Sequence, residues 1–381
     1  MNAKPRILTL IQLPPPVHGV SMMNQTVVGS QLIKKTFLMT CIPLQFASSI
    51  NDISVLRFNK FVKTAGIALR LIKELATERY SFVYFTLSPV GFAFYRDLLF
   101  VSIMKLFRVK IVYHLHGKGI RKAAESSLVK KKLYKFAFRN TSVIALAQSL
   151  VTDIEAVYDG TPFIVNNGIP TENIAQPISI EDKLGVVQIL YLSNIARSKG
   201  TLVFLDSLCL LRDRNVTFQA NIVGNDSSSV SFDELNALIN KLKLEEAVHV
   251  LGPKYGSDKY EALNTSDIFC FPTLNDAFPL VLLEAMQCGK PVVSTFEGAI
   301  PDIVDHGKTG LLVHQQNVEE LADALQQLIE DENMRKKMGE CGRGKFNSCY
   351  TLEIFEKNML NVFENSIKIN SSLLSNDERS N

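Results

Sequence analysis

The sequence lacks several of the patterns that mark common metal and cofactor sites. Its six cysteines form no Cys-x-x-Cys pair, which argues against a zinc site or a disulfide framework and favours a reducing compartment. No Asp-x-Asp motif is present, so we expect no metal requirement. No Gly-x-Gly-x-x-Gly turn follows a predicted strand, which disfavours a nicotinamide-dependent oxidoreductase.

Long hydrophobic runs are also missing. The apolar segment Ile7–Leu13 stops at three consecutive prolines and has no small-residue cleavage site, so it is interpreted as a buried strand and not a signal peptide. The stretch Phe82–Tyr95 is interrupted by Pro89 and Gly91 and is shorter than the ~18 apolar residues of a membrane span. We therefore expect a cytoplasmic protein that is either soluble or peripheral on the inner face of the membrane.

The composition is that of a globular chain with an uneven charge distribution. Hydrophobic residues make up 46% and charged residues 21% of 381 residues, a length that favours two domains. Residues 1–178 carry 22 Lys and Arg against 9 Asp and Glu, whereas the remainder is acidic. The first half is therefore expected to face something anionic. Its cations concentrate between Lys118 and Arg139, where Glu125 is the only acid.

Short β-branched runs alternate with amphipathic stretches along the chain. The runs lack polar alternation, which is typical of parallel strands covered on both faces. We predict an α/β fold of two doubly wound domains, residues 1–178 and 179–346, joined by a polar linker over 169–185. A helix over 350–366 should pack back on the first domain, and 368–381 should form a polar tail. The predicted strands are Arg6–Leu13, Phe82–Leu87, Lys110–His116, Ser142–Ala147, Phe163–Asn166, Val187–Ser193, Phe218–Val223, Val248–Leu251, Ile268–Pro272, Pro291–Thr295 and Leu311–Val313.

The segment Asn275–Met286 carries the most informative pattern. The buried strand Ile268–Phe271 precedes it, Pro279 can begin a helix that we predict over Leu280–Gln287, and Gly289 ends that helix. The backbone amides around Phe278–Leu280 should then lie at the positive end of a helix, which suits a diphosphate.

Two acids flank this predicted helix start. Glu284 lies one turn into the helix on the same face as Leu280, where its oxygens would accept hydrogen bonds from a vicinal diol such as a ribose. Asp276 lies in the preceding loop, where it would bind a hexose hydroxyl. An ordinary α/β crossover is the alternative, since it would explain the apolar residues of the helix equally well.

The stretch resembles the retaining nucleotide-sugar glycosyltransferases of family 4, which have a GT-B fold of two Rossmann-like domains facing a cleft. Their signature is Glu, seven residues and Glu, in a context like E-G-F-P-L-V-x-L-E-A-M-x-x-G-x-P-V-V. The departure here is Asp276, which stands at the first glutamate and shortens the side chain by about one C–C bond, ~1.5 Å. The matching positions are Asp276, Phe278, Pro279, Leu280, Val281, Glu284, Ala285, Met286, Gly289, Pro291, Val292 and Val293.

A second match lies after the first strand of the predicted second domain. Lys199 and Gly200 match the family's G-R-x-x-x-x-K-G, in which Arg and Lys hold the donor diphosphate, whereas Asn194 replaces the arginine. The resemblance implies that Lys199 supplies positive charge to the departing phosphate and that Asn194 offers a neutral amide. Arg197 is a candidate replacement for the arginine. A solvated lysine at a helix start is the alternative for Lys199.

The first domain matches less densely. Gly19 follows the first strand as part of a loop like the family's glycine-rich loop, which implies close approach of its backbone to the donor phosphate. His116, followed by glycine, matches the family histidine near the reacting sugar, with a core histidine as the alternative. We expect His114 to lie in or under the sheet and His18 to have only a loop role.

The resemblance implies an enzyme that moves a hexose, with retention, from a nucleoside-diphosphate sugar to a glycan or lipid-linked glycan in cell-surface polysaccharide synthesis, such as lipopolysaccharide or capsule. The implied catalytic residues are His116, Lys199 and Asp276, and no cofactor beyond the co-substrate is expected. The cations of residues 118–139 alternate with apolar residues, as in a helix lying on anionic lipid; a solvated helix face is the alternative.

Two other functions stay open at this point. A non-catalytic sugar-nucleotide-binding protein would fit the departures at Asp276 and Asn194, and a GT-B-fold sugar-nucleotide epimerase shares the fold. No nucleic-acid recognition motif accompanies the basic stretch, so a nucleic-acid partner is not expected.

Overall fold

The computed structural model describes residues 4–46, 58–171 and 185–377. Over these ranges the chain divides into two compact units. The first comprises the residues up to Asn167 together with those from Glu353 onward, and the second comprises Gly168–Leu352. The predicted domain boundary at residue 178, and most of the predicted linker, lie outside the described residues. No helix in the described ranges is long and apolar enough to cross a bilayer.

Twelve strands are found in the described ranges, six in each unit, and all pair in parallel. The strands of the first unit are β1 (Arg6–Ile11), β2 (Leu38–Pro43), β3 (Phe82–Phe85), β4 (Ile111–Leu115), β5 (Thr141–Ala145) and β6 (Phe163–Ile164). Those of the second are β7 (Gln188–Leu192), β8 (Gln219–Val223), β9 (Val248–Gly252), β10 (Ile268–Phe271), β11 (Val292–Thr295) and β12 (Gly310–Val313).

Helices connect these strands in both units. Those of the first unit begin with α1 (Gly19–Gly29), α2 (Gln31–Thr36), α3 (Phe58–Thr77), α4 (Gly91–Leu106), α5 (Ile120–Glu125) and α6 (Leu128–Phe138). Those of the second unit are α7 (Thr201–Asp213), α8 (Phe232–Lys241), α9 (Gly256–Thr265), α10 (Leu280–Gln287), α11 (Ile300–Ile303), α12 (Val318–Glu330) and α13 (Glu332–Cys349). The chain closes with α14 (Leu352–Asp377).

The strand order of each sheet places a topological switch point. The first sheet runs β2-β1-β3-β4-β5-β6 and the second runs β12-β11-β10-β7-β8-β9. Connections leave in opposite directions from β1 and β3 in the first sheet and from β7 and β10 in the second. Ligands of doubly wound sheets bind beyond the carboxyl ends of the strands at such points. A ligand site is therefore expected beyond the ends of β1 and β3 in the first sheet, or of β7 and β10 in the second.

The apolar strands that the sequence predicted lie in the hydrophobic cores of the two units. All residues of β3, β4, β10, β11 and β12 are buried, as expected for parallel strands covered on both faces. Helix α14 belongs to the first unit, where the Phe363 ring contacts the rings of Phe37, Phe82 and Tyr84.

The structure contains the eleven strands that the sequence predicted, and adds β2. This strand lies at an edge of its sheet, most of its residues are partly exposed, and it ends at Pro43, so it offers no long apolar run. Helix α14 runs to Asp377, past the predicted end at 366 and into the predicted polar tail, because no glycine or proline interrupts it. Residues 378–381 of that tail lie outside the described residues.

Candidate functional site

The switch point of the second sheet brings together two residues that the sequence singled out. Lys199 ends a short 3-10 turn after β7, and Asp276 lies in the loop after β10. The Lys199 Nζ atom lies 2.6 Å from Asp276 Oδ2 and donates to the Asn275 carbonyl at 3.1 Å. Both side chains are mostly buried, with 25% and 21% exposed. An ammonium and a carboxylate 77 positions apart in sequence therefore form one site.

The turn that carries Lys199 is docked directly on the loop that carries Asp276. The Ser198 carbonyl accepts hydrogen bonds from the backbone amides of Leu274 and Asn275, at 2.9 and 3.1 Å. Gly200 has a φ of +77°, and a Cβ there would lie 1.9 Å from the Pro272 carbonyl oxygen. Only glycine permits this approach. In the Lys-Gly pair of the motif, Lys199 therefore supplies the charge and Gly200 permits the close backbone contact.

The other side of the Asp276 loop is held by residues that the sequence argument did not assign to the site. The Glu297 side chain is buried and accepts hydrogen bonds from the Asp276 amide and from Gln315 Nε2, both at 3.0 Å. Gly298, with a φ of +54°, lies so close that a Cβ would be 2.2 Å from the Asp276 carbonyl oxygen. The sequence feature that could have pointed to Glu297 is its position two residues after β11, at the same edge of the sheet as Asp276.

Helix α10 begins beside this loop with the bounds that the sequence predicted. Pro279 occupies the N-cap position and supplies no side-chain hydrogen bond to the first turn. Phe278 and Pro279 are buried, and Leu280 is partly exposed. The first-turn amides of a helix have no acceptors within it, so this end presents donors and the positive end of the helix dipole.

Glu284 lies one turn into α10 and has a partner that the sequence argument also missed. Its Oε1 atom lies 2.7 Å from the Nζ atom of Lys259 on α9, and the two side chains are only 14% and 23% exposed. Removing one member of a pair this buried would leave the other charge poorly compensated. Lys259 therefore fixes one oxygen of the carboxylate that we expect to face the ribose. No motif pointed to Lys259.

Asn194 and Arg197 lie between β7 and Lys199. Asn194 is exposed and follows the end of β7. The Arg197 guanidinium lies 3.0 Å from Glu234 Oε1 of α8, and its Nε donates to the Ser229 carbonyl. The Arg197 side chain is thus bound to Glu234 and to the Ser229 carbonyl. The structure therefore gives no support to Arg197 taking the place of the missing arginine beside Lys199.

His116 of the first unit directly follows β4. Its ring lies against that of His114, with 4.0 Å between centroids, and its Nε2 atom is buried without a hydrogen-bond partner among the described residues. Burial, with a smaller contribution from the nearby His18, lowers the pKa of His116 to about 3. The imidazole is therefore neutral at pH 7 and can offer a hydrogen bond but no charge.

The other two histidines of this cluster have structural roles. His114 is fully buried, and its Nδ1 atom lies 2.6 Å from the Tyr84 hydroxyl, which fits the expectation that it lies in the sheet. His18 caps α1: its Nδ1 accepts from the Ser21 amide, and the Ser21 hydroxyl accepts from the His18 amide. Gly19, the first residue of α1, is exposed. In the described ranges no three His, Cys, Asp or Glu side chains form a group suited to a metal ion.

The second unit is similar to proteins of a known family. The family model described as "Glycosyl transferases group 1" matches residues 170–345. A D-inositol 3-phosphate glycosyltransferase of Corynebacterium jeikeium is 35% identical over 154 residues, which are 39% of this chain and 37% of that protein. An N-acetyl-alpha-D-glucosaminyl L-malate synthase of Bacillus anthracis is 28% identical over 251 residues, 62% of each chain. The chain thus covers less than two thirds of the length of either relative.

Solved structures with the same fold match most of the chain. Anabaena HepE, solved in complex with UDP, superposes with a TM-score of 0.74 at 19% identity, over 94% of this chain and all of HepE. The lipopolysaccharide outer core galactosyltransferase WaaB gives a TM-score of 0.69 at 17% identity, over 96% of this chain and 99% of WaaB. The fold is therefore the GT-B type, with two Rossmann-like domains, and the unit that holds Lys199 and Asp276 matches the model of the glycosyltransferase group 1 family.

Proposed function

We propose that this protein is a retaining glycosyltransferase that moves a hexose from a nucleoside-diphosphate sugar to a glycan or lipid-linked glycan in cell-surface polysaccharide synthesis. The observation that carries the proposal is the Lys199 ammonium, held 2.6 Å from Asp276 at the switch point of the second sheet. Loss of a nucleoside diphosphate develops negative charge, and fixed donors placed where that charge develops are an effective way to stabilise it.

The hydrogen bonds of Lys199 support this role. An ammonium has three N–H donors. Two of them point to Asp276 and Asn275, and the described residues provide no hydrogen-bond partner for the third. The ammonium can therefore bind a phosphate oxygen while it stays anchored to the loop. The Leu280 amide in the first turn of α10 and the Phe278 amide just before the N-cap would add the helix-end contribution, whereas Pro279 between them has no N–H.

The remaining residues of the second unit receive roles that fit their surroundings. We assign the ribose diol to Glu284, whose carboxylate is oriented by Lys259. A hydroxyl of the donor sugar is assigned to Asp276, and Asn194 is assigned as a neutral donor to the diphosphate. Retention then follows from departure and attack on one face of an oxocarbenium-like sugar, in which the protein mainly stabilises the leaving group.

In the first unit we assign a sugar contact to His116 and a close backbone approach to phosphate to Gly19. With a pKa of about 3, His116 is a neutral hydrogen-bonding group near pH 7 and not a cation. The proposed reaction uses no metal ion, since Lys199 and the start of α10 supply the positive charge. We therefore expect full activity in the presence of EDTA.

The names of the similar proteins help to choose substrates. Anabaena HepE was solved with UDP and with UDP-glucose, and WaaB is a lipopolysaccharide galactosyltransferase. UDP-sugars are therefore the first donors to test, and a lipopolysaccharide- or capsule-type glycan is the first acceptor class. The basic residues 118–139 are proposed to face an anionic membrane that would hold a lipid-linked acceptor.

The proposal is tested by release of nucleoside diphosphate from a panel of UDP- and GDP-sugars with the purified full chain. For Lys199→Ala we expect a loss of about 2–4 kcal/mol in transition-state stabilisation, measured as kcat/KM. Lys337→Ala, which removes an exposed lysine of α13, is the matched control. A kcat/KM of Lys199→Ala near that of wild type would refute the assignment of Lys199.

The same panel separates the alternatives. The shorter acid at Asp276 and the neutral Asn194 favour a non-catalytic sugar-nucleotide-binding protein as the second candidate. Such a protein would be stabilised against heat by a sugar nucleotide but would release no nucleoside diphosphate. A GT-B-fold epimerase would instead convert the sugar without any acceptor, which chromatography of the products detects.

A further inference from the structure

We propose that α4 and α6 of the first unit together form a surface that docks on an anionic lipid bilayer, with α4 inserting an apolar seam into it. Residues 118–139, proposed above to face an anionic membrane, include α6. The present inference rests on that proposal and adds α4, which lies outside the stretch, as the hydrophobic half of the surface.

The seam runs along the whole of α4. Its members recur every three or four residues and therefore lie on one side of the helix. Phe92 is 74% exposed and Leu106 is 80% exposed, at opposite ends of the helix. The opposite side of α4 packs into the core of its unit through Phe94, Phe100 and Met104. The exposed seam consists of Phe92, Tyr95, Leu99 and Leu106, with Ser102 in the one polar position.

Helix α6 presents a mixed apolar and cationic face. Three large apolar side chains are exposed, Leu128, Val129 and Phe136. Lys132 and Lys135 are exposed at helical spacing among them. Helix α6 contains no acid, and the one acid of α4, Asp97, is fully buried in an ion pair with Arg96.

Side-chain contacts fix α4 and α6 beside each other. The Phe94 and Tyr134 rings stack with 3.9 Å between centroids, and the Tyr134 hydroxyl donates to the Pro89 carbonyl at 2.7 Å. At the other end of α4 the Lys105 ammonium lies 5.4 Å from the centre of the Phe136 ring. The two helices are therefore held side by side, with exposed cations on α6 and the exposed apolar seam on α4.

Charge selects the occupant of this surface. Two copies of the chain docked face to face about a twofold axis would bring the lysines of α6 against each other, which disfavours a dimer. An anionic bilayer instead supplies the opposite charge over a wide area and an apolar interior below it. An exposed apolar seam flanked by lysines is the composition of surfaces that lie in the membrane interface.

The test is sedimentation of the full chain with vesicles of phosphatidylcholine alone or mixed with phosphatidylglycerol, at low and high salt. Phe92→Ser and Leu106→Ser should each weaken binding to the mixed vesicles about tenfold, because each removes a large inserted side chain. Lys132→Gln and Lys135→Gln should each weaken it about fivefold at low salt, with little effect at high salt. Leu38→Ser, an exposed leucine on edge strand β2, is the matched control.

Equal binding to the two kinds of vesicle, or wild-type binding by the two α4 variants, would overturn the proposal. So would sedimentation velocity that shows a wild-type dimer and a monomer for Leu106→Ser. Nucleoside diphosphate release is measured on the same proteins without vesicles, and thermal melting confirms that each variant is folded. Vesicle binding without turnover would refute the proposed transferase and leave the docking surface supported. Turnover without vesicle binding would refute the docking surface and leave the transferase supported.

Discussion

Gly298 offers the sharpest test of how the Asp276 loop is held in place. In a Gly298→Ala variant the new Cβ would lie 2.2 Å from the carbonyl oxygen of Asp276 and 2.8 Å from that of Ala277. Both are backbone atoms, so no rotamer change can relieve the contact. The loop would have to retreat by about 1 Å to reach a tolerated separation, and a displacement of that size at a reacting centre costs about 100-fold in rate.

A matched control separates this contact from the strain of a left-handed backbone. Gly298 has a φ of +54° and Gly307 a φ of +77°, but a Cβ on Gly307 would meet no atom within 4 Å. Alanine in the left-handed region costs about 1–2 kcal/mol at either position. Gly307→Ala should therefore lose about that much free energy of unfolding and keep its turnover, whereas Gly298→Ala should lose more stability and most of its turnover.

The assay is kcat/KM for nucleoside diphosphate release, with the free energy of unfolding from urea titration of both variants. UDP binding by calorimetry shows whether the nucleotide half of the site survives in Gly298→Ala. If the two variants lose equal stability and both keep wild-type kcat/KM, the loop accommodates the added methyl group. The argument that Gly298 positions Asp276 would then be wrong.

Three further predictions concern side chains. Lys259→Met leaves the Glu284 carboxylate without its cation at 2.7 Å, so UDP should bind about 10- to 100-fold more weakly with a smaller change in kcat, and Lys259→Arg should restore binding. Glu297→Gln keeps an acceptor for the Asp276 amide but loses the carboxylate that also accepts from Gln315; kcat/KM should fall about tenfold while UDP binding by calorimetry stays unchanged. Burial lowers the pKa of His116 from 6.5 to about 3, so the unfolded chain binds the proton more tightly than the folded chain does. The contribution of His116 to the free energy of unfolding is therefore fully present above pH 6.5. It falls by up to ~1.4 kcal/mol per pH unit as the pH drops toward 3. Urea unfolding at pH 7 and pH 5 should show a smaller acid loss for His116→Gln than for wild type.

The parts of the fold and site that the sequence predicted are those set by local signals, such as a proline or glycine at a helix end and an apolar run in a strand. Helix α10 has the predicted bounds because Pro279 and Gly289 mark its two ends. The Lys199 and Asp276 positions follow from their places after apolar strands, since the carboxyl ends of neighbouring parallel strands lie at one edge of a sheet. Strand β2 escaped prediction because an edge strand needs no continuous apolar run.

The parts that could not be predicted depend on side-chain direction between elements distant in sequence. Lys259 reaches Glu284 from α9 across 25 positions, and Gln315 reaches Glu297 from beyond the end of β12. Neither pair has a fixed spacing within one helix or strand that a pattern could reveal. A buried acid such as Glu297 is informative only once its two hydrogen-bond donors are known.

The geometry around Asp276 also bears on what its shorter side chain means. Its amide is held by Glu297, its carbonyl oxygen lies against Gly298, and the next carbonyl, that of Ala277, accepts from the Ala299 amide at 2.8 Å. With the backbone held at these points, the aspartate carboxylate already reaches the Lys199 ammonium at 2.6 Å. A glutamate on the same backbone would be longer by about one C–C bond, ~1.5 Å, and would have to bend away from Lys199 or displace it. The shorter acid is thus matched to this loop and keeps the ion pair. Under the proposed function, the departure from the family pattern would therefore change the volume beside the carboxylate, where the sugar is proposed to bind, and would leave the charge of Lys199 in place.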